Sequence, residues 1–264
     1  MKKESYKSLR FTNDFMFCKI LSNNPDLCKE LIEMILDVKI NRIMSVDPQE
    51  PIEITPDGRG IRLDVRVEDE KHSMYCVEMQ TTNRGNIPKR SRYYQAIADL
   101  NSLERSEEFD QLNKSYIIFV CLFDLFHKGY RKYVFRSLCV DDPSLELGDD
   151  TEKVFLNAKG NLGDVSEKMR DFLNYISTGK AEGELSARLE EEVVMARKNP
   201  AWEMEYASYY AKLHDEKEAG IAEGRILGHR DMIQKLIDRG KSVDEIAELF
   251  DMAVKDVTKL IEDE

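Results

Sequence analysis

Three observations in the sequence predict an α+β fold that is followed by an all-helical region. The stretch from Ile61, IRLDVRVED, alternates apolar and charged residues, which is typical of a half-buried strand. The stretch from Ser115, SYIIFVCLFDLF, is almost entirely apolar, as expected of a strand buried on both faces. From Asp164 onward the apolar residues recur at helical spacing, with breaks at Asn199-Pro200 and at Gly240.

The chain before the alternating strand predicts two helices and a strand. Apolar residues recur at helical spacing over residues 12–37, and Thr12 or Asn13 is a candidate N-cap. A polar break occurs near Pro25, which is expected to open the second helix because its fixed φ suits a first helical position. Residues 42–55 alternate loosely and predict a strand.

The middle of the chain predicts a hairpin, a helix and three further strands. The alternating strand and SMYCVEMQT are separated by the polar turn Asp69-Glu70-Lys71, so they are expected to pair as a hairpin. Residues 87–105 have helical spacing, and the apolar run from Ser115 follows. The segments YVFRSLCV and KVFLNAKG predict the last two strands.

The composition limits the classes of protein to which the chain can belong. Its 264 residues carry a net charge of -12, which by itself argues against a polyanion such as nucleic acid as a partner. The N-terminus has no apolar segment typical of a secretory signal, and no run is long enough to span a membrane. The five cysteines are scattered and form no CxxC pair. We therefore expect a soluble cytoplasmic protein with no membrane partner.

Two carboxylates on the predicted hairpin form a candidate metal site. Asp64 on the first strand and Glu78 on the second would lie close together, and Gln80 would point the same way as Glu78. Such oxygen ligands suit Mg²⁺, and the Met79 carbonyl could add another. The alternative is that these residues are ordinary solvent-facing members of amphipathic strands.

A cluster of basic residues follows the hairpin. Arg84, Lys89, Arg90 and Arg92 lie within TTNRGNIPKRSRYYQ, which contains no acidic residue. Residues 59–92 contain eight Lys and Arg against five Asp and Glu, so the acidity of the chain lies elsewhere. The net charge of the chain therefore does not exclude double-stranded DNA from this local surface.

The order of these motifs resembles the PD-(D/E)xK nuclease family of transposases. The resemblance rests on FTNDFMFCKIL, RLDVRVEDE, YCVEMQ, KRSRYYQA and YIIFVCLFD, in that order. It implies a restriction-endonuclease-like core of helix, antiparallel hairpin sheet, helix and strand. It also implies Mg²⁺-dependent hydrolysis of DNA phosphodiester bonds, linked to DNA recombination or mobility. Asp64 and Glu78 would be the metal ligands, and both would act in catalysis together with Gln80.

The sequence departs from the family pattern at two positions. Leu63 stands where the superfamily has proline, and Gln80 stands where it has a catalytic lysine, so Arg90 or Arg92 is a candidate source of the missing charge. Asp14 matches an N-terminal family motif, and helix capping or first-turn charge is its alternative role. Tyr94 matches an aromatic position of the second helix, where core packing is the competing interpretation.

The resemblance divides the chain into a nuclease-like domain at 1–160 and a helical region at 161–264. Glycines recur every four residues at Gly220, Gly224 and Gly228, which would permit close helix contact in a homodimer. Residues 242–262 resemble a helix-turn-helix pair that opens with a capping box. This pair is strongly acidic, so we expect a structural or oligomerising role rather than DNA reading.

Two alternatives to an active nuclease remain at this stage. The chain could be a catalytically inactive family member that acts as a DNA-binding or oligomerising module, because Gln80 lacks the charge of the motif lysine. It could also be an unrelated α+β protein whose hairpin carboxylates have no function.

Overall fold

The computed structural model describes residues 4–48, 51–52, 61–62, 64–83, 85–100, 102–103 and 107–262. The strands within these residues are β1 (Ile43–Pro48), β2 (Pro51–Ile52), β3 (Ile61–Arg62), β4 (Val65–Asp69), β5 (Met74–Gln80), β6 (Ser115–Cys121), β7 (Lys132–Phe135) and β8 (Thr151–Asn157). The helices are α1 (Asp14–Asn23), α2 (Pro25–Leu36), α3 (Ile87–Leu100), α4 (Glu167–Thr178), α5 (Glu184–Ala196), α6 (Pro200–Ile237), α7 (Val243–Phe250) and α8 (Val254–Glu262). The predicted α+β class with helices at the C-terminus is confirmed.

Six of the strands form one mixed sheet in the order β1-β4-β5-β6-β8-β7. The strands β1, β4 and β5 are antiparallel neighbours, whereas β6 and β8 run parallel to β5. The edge strand β7 is antiparallel to β8. Because of these directions, β5, β6 and β8 all end at one edge of the sheet, which we call the carboxyl edge. The opposite edge, where these three strands begin, is the amino edge.

The predicted central strand lies in the middle of the sheet. Every residue of β6 is buried, which explains why its sequence is apolar rather than alternating. Helix α3 covers one face of the sheet, where Tyr94 and Ile97 pack in a cluster with Phe119 and Phe155. The rings of Phe119 and Phe155 are stacked with centroids 5.5 Å apart. This packing fixes α3 across the face of the sheet, with Arg90 in its first turns at the carboxyl edge and Gln95 in contact with Ser115 at the amino edge.

The hairpin differs from its prediction in two ways. The alternating stretch is not one strand, because Ile61–Arg62 pairs with β2 whereas Val65–Asp69 joins the main sheet. The strand β5 is buried at six of its seven positions, so both of its faces are covered. Alternation in the neighbouring strand could not reveal this burial, since it depends on β6 and on helices that are distant in sequence.

Local signals in the N-terminal helices are confirmed. The side chain of Asn13 caps α1 by accepting hydrogen bonds from the backbone N–H groups of Phe15 and Met16. Pro25 is the first residue of α2, as its fixed φ favours. Phe11 and Phe17 are fully buried and meet edge to face with centroids 5.4 Å apart.

The described chain divides into two compact units, one reaching to Trp202 and one starting at Glu203. The second unit contains α7, α8 and most of α6, and Ile233, Ile246 and Val257 form its small core. The predicted capping box at α7 is present. The proposed boundary at residue 160 between a nuclease-like domain and a helical region stays a prediction.

Two further features concern the helices and cysteines. Among the described helices, none has the length and apolar character that crossing a bilayer requires. All five cysteines are free thiols, and Cys18, Cys28, Cys76 and Cys121 are buried.

Candidate metal centre at the carboxyl edge of the sheet

The predicted site residues meet where β4 begins and β5 ends. Antiparallel pairing places Val65 opposite Val77, so Asp64 lies just before β4 and beside the last residues of β5. Glu78 and Gln80 are two residues apart on β5, so their side chains share one face of the strand. The structure therefore brings Asp64, Glu78 and Gln80 together at the carboxyl edge.

The two carboxylates are held by reciprocal hydrogen bonds. The backbone N–H of Asp64 donates to Glu78 Oε1 at 2.9 Å, and the backbone N–H of Met79 donates to Asp64 Oδ2 at 2.8 Å. From helix α1, the thiol of Cys18 donates to the Asp64 carbonyl oxygen at 3.1 Å. These contacts within the chain fix the backbone of Asp64 against β5 and orient both carboxylates.

The carboxyl group of Glu78 lies in an unusual electrostatic environment. Its side chain is only 2% exposed. Burial is the main cause that raises the pKa of Glu78 well above its ordinary value, and the negative charge of Asp64 raises it further. The Asp64 N–H and the charge of Arg90 act in the opposite direction. A cation beside these two carboxylates would therefore relieve a repulsion that the surrounding residues do not fully offset.

Arg90 links the remaining members of the site. Its guanidinium donates to Gln80 Oε1 at 3.0 Å, to Glu78 Oε2 at 3.3 Å and to the Tyr94 hydroxyl at 2.6 Å. The guanidinium also lies over the rings of Tyr94 and Phe119, 5.2 and 5.7 Å from their centroids. The Gln80 amide is 3.5 Å from Glu78 Oε2 and donates to it. A positive charge therefore stands directly beside Gln80.

Tyr94 packs in the core and also contacts Arg90 of the site. Its ring is buried in the cluster against the sheet, and its hydroxyl accepts the hydrogen bond from Arg90. Burial, followed by the charge of Glu78, raises the pKa of Tyr94 to about 12, so the hydroxyl stays protonated at neutral pH.

The other basic candidates lie along the first turns of α3. Lys89 and Arg92 are exposed, and the helix begins at Ile87, so its positive N-terminal end lies beside the end of β5. Arg84 lies outside the described residues. Of the two arginines considered as sources of the lysine charge, Arg90 contacts the carboxylate and Arg92 faces solvent.

Asp14 is the first residue of α1, and its Oδ1 accepts a hydrogen bond from the backbone N–H of Phe15. Cys18 is one helical turn further along the same helix face, and it contacts the Asp64 backbone. This placement gives Asp14 the predicted helix-end role and sets its side of α1 toward the site.

The donor set fits a hard divalent cation that has two protein carboxylates as ligands. Within the described residues no group of three or more His, Cys, Asp or Glu side chains is arranged to hold a metal ion. A cation here would therefore use Asp64, Glu78 and non-carboxylate oxygens. The Met79 carbonyl is one such oxygen, because its N–H bonds to Asp64 and both groups of a strand residue point to the same side.

Sequence reasoning missed two features of this site. It treated Cys18 only as a buried small residue, although its position one turn after Asp14 was visible. It also placed Glu78 on a polar face, whereas burial of β5 on both faces makes that carboxylate one of the least exposed charged groups described.

A family model described as PD-(D/E)XK nuclease family transposase matches residues 11–224. No curated protein and no solved structure matches the chain significantly. The matched segment covers most of the chain and includes every residue of the site at the carboxyl edge. The chain therefore belongs to the PD-(D/E)XK nuclease family of transposases.

Proposed function

We propose that the protein is a Mg²⁺-dependent DNA endonuclease whose centre is formed by Asp64, Glu78, Gln80 and Arg90. The observation that carries this proposal is the buried carboxylate of Glu78, which accepts a hydrogen bond from the Asp64 backbone at the sheet edge, while Asp64 accepts one from the Met79 backbone. Two like charges in so little solvent have a stability cost unless a cation is bound. Family membership supports a nuclease, and the carboxylate pair supports a metal-dependent one.

The carboxylates of Asp64 and Glu78, with the Met79 carbonyl, would hold Mg²⁺, which supplies charge neutralisation at a phosphoryl oxygen and lowers the pKa of a water molecule. The protein contributes orientation. Reciprocal backbone hydrogen bonds hold both carboxylates, so little reorganisation is needed when substrate binds. Gln80 accepts from Arg90 and donates to Glu78, and thereby keeps both groups in place and presents an amide to the attacking water.

We infer that Arg90 supplies the positive charge that Gln80 lacks. Its guanidinium reaches both Gln80 and Glu78 from α3, so it stands next to the position of the family's lysine. A guanidinium presents several donors in a planar fork, which suits two oxygens of a phosphate. Tyr94 supports Arg90 from one helical turn away.

Double-stranded DNA would bind at the face formed by the hairpin end and the start of α3. Lys89 and Arg92 are exposed there, and Arg84 belongs to the same basic segment of sequence. A role in recombination or DNA mobility and a cytoplasmic location remain proposals that rest on the family alone.

A second candidate function is a catalytically inactive DNA-binding or oligomerising module. The observation that favours it is the ion pair between Arg90 and Glu78, which partly compensates the buried carboxylate without a metal. The helical region could provide a dimer contact, since a Cβ added at Gly220, Gly224 or Gly228 would meet no described atom within 4 Å.

Incubation of the purified full chain with supercoiled plasmid tests the two candidates. We expect nicking that requires Mg²⁺ and that falls by at least ~100-fold in Asp64→Asn and in Glu78→Gln. The matched control is Glu70→Gln, which changes a half-exposed carboxylate in the turn of the same hairpin and should retain activity.

Equal nicking by Asp64→Asn and the unsubstituted chain would show that the site is assigned wrongly. A chain that shifts labelled duplex DNA but never nicks it, at any Mg²⁺ concentration, would favour the inactive module.

A further inference from the structure

Two loops lie at the carboxyl edge beside the metal centre. Residues 122–131 connect β6 to β7, and residues 158–163 follow β8. Parallel pairing places Gln80 next to Cys121 and Cys121 next to Asn157, so both loops leave the sheet at the level of the site. The backbone N–H of Leu122 donates directly to the Gln80 carbonyl at 3.0 Å. The first loop is therefore attached to a residue of the proposed centre.

The two loops are joined into one rigid surface. The Asn157 side chain donates to the Tyr130 carbonyl at 3.0 Å, and the backbone N–H of Leu162 donates to the Gly129 carbonyl at 2.9 Å. At Gly160 the chains approach so closely that a Cβ would lie 2.6 Å from the Tyr130 carbonyl oxygen. Only glycine fits there, so the sequence allows direct contact between the loop backbones.

The charges on this joined surface are basic and accessible. Lys128 on the first loop and Lys159 on the second are both exposed, and neither forms an ion pair within the described residues. The exposed Asp164 directly follows the second loop, and within residues 122–131 and 158–163 the single acidic residue is Asp124. Its carboxylate accepts from the backbone N–H groups of His127 and Gly129 and from the Tyr133 hydroxyl, so it is directed into its own loop.

The amino edge has the opposite charge. The connection from Arg136 to Glu152 contains six acidic residues and one basic residue. That arginine is paired with Glu146 and Glu152. Lys114 at the same edge also pairs with Glu152. The sheet is therefore polarised, because the connection at the amino edge is acidic and its arginine is paired, whereas Lys128 and Lys159 lie on the side of the metal centre.

We propose that Lys128 and Lys159 form a second phosphate-binding surface, on which the DNA strand beside the cleaved bond rests. This inference rests on the proposed function. From β5 to β8 the sheet spans two strand spacings, about 10 Å. The rise per nucleotide in duplex DNA is about 3.4 Å, so this surface would contact phosphates roughly three nucleotides from the one at the metal centre. The chemistry recognised is the backbone of a nucleic acid, without reading of bases.

The test measures how binding to a fluorescein-labelled DNA duplex depends on salt concentration. The duplex is roughly 24 base pairs long, about two helical turns, and binding is read as fluorescence anisotropy in the presence of Mg²⁺. The full chain carries Asp64→Asn to prevent cleavage. We expect Lys128→Gln with Lys159→Gln to weaken binding about tenfold and to reduce the slope of log K against log salt by about 2. The control is Lys71→Gln, an exposed lysine at the amino edge, which should alter the affinity by less than about twofold.

The slope of log K against log salt reports the number of phosphate contacts and not the fraction of folded protein, so it separates a lost contact from misfolding. The charge-reversed pair Lys128→Glu with Lys159→Glu should weaken binding further. If both double variants bind like the Lys71→Gln control while the unsubstituted chain nicks plasmid DNA, the second surface is refuted and the proposed function stands. If the unsubstituted chain neither binds nor nicks DNA, both proposals are refuted.

Discussion

The carboxyl and amino edges of the same sheet differ in how their charged side chains are arranged. At the carboxyl edge, the buried carboxylate of Glu78 lies beside the half-buried Asp64, and the Arg90 guanidinium contacts Glu78. At the amino edge, Arg136 is paired with Glu146 and Glu152, and Lys114 is also paired with Glu152. The difference shows that a net charge of -12 says little about any single surface. An acidic protein can present a basic face to a polyanion when its sheet separates the charges.

Among the tests of this difference between the two edges, substitution of Arg90 is expected to have the largest effect on activity. In Arg90→Ala, Glu78 loses its ion pair and Gln80 loses its donor, so we expect the rate of plasmid nicking to fall by about 10²–10³. The matched control is Arg92→Ala on the exposed side of the same helix turn. It should change mainly the salt dependence of DNA binding. Similar rates for the two variants would contradict the assignment of Arg90 as the source of the positive charge.

An exchange of charge between the two positions gives a stricter version of that test. Arg90→Gln should be inactive, whereas Arg90→Gln combined with Gln80→Lys should recover part of the activity, because the lysine returns to the family's position. If the double variant is no better than Arg90→Gln alone, Arg90 does not replace the motif lysine. The readout is the single-turnover nicking rate at saturating Mg²⁺.

A smaller effect is expected on stability, and its sign should differ between the two edges. Burial and the charge of Asp64 raise the pKa of Glu78, so the native state is favoured below the unfolded-state pKa and loses stability as pH rises through the folded-state pKa. In EDTA at pH 8, Glu78→Gln should therefore raise the Tm by on the order of 5 °C. At pH 4 the variant and the unsubstituted chain should have nearly the same Tm.

Glu70 at the amino edge gives the opposite sign. Its carboxylate accepts from the Arg42 backbone N–H, which lowers its pKa, so its contribution is present above the unfolded-state pKa and is lost as pH falls. Glu70→Gln should lower the Tm slightly at pH 8. A lower Tm for Glu78→Gln in the same buffer would contradict the view that Glu78 is destabilised without a cation.

The elements that the sequence predicted well are those determined by nearby residues. The cap at Asn13, the helix start at Pro25 and the capping box at Ser242 depend on contacts within a few residues. The buried strand β6 was recognisable because its composition leaves no polar face. The proximity of Asp64 and Glu78 could also be predicted from the sequence, because one short turn joins their two strands.

The features that could not be predicted depend on pairing between distant parts of the chain. No residue close to Glu78 in the sequence indicates that β6 pairs with β5 and so places β5 inside the sheet. The choice between Arg90 and Arg92 depends on the rotation of α3 over the sheet, which is set by Tyr94 and Ile97 in the core. The loops with Lys128 and Lys159 reach the site only because β6 and β8 run parallel to β5.

The most direct test of the account is calorimetric titration of the full chain with Mg²⁺ at pH 8 in the absence of DNA. We expect a binding heat that disappears in Asp64→Asn and in Glu78→Gln but is retained in Glu70→Gln. Since the raised pKa of Glu78 favours its protonated form, binding should also release protons and become tighter as pH rises. Unchanged binding in Asp64→Asn, or equal loss in Glu70→Gln, would contradict a metal centre at the carboxyl edge.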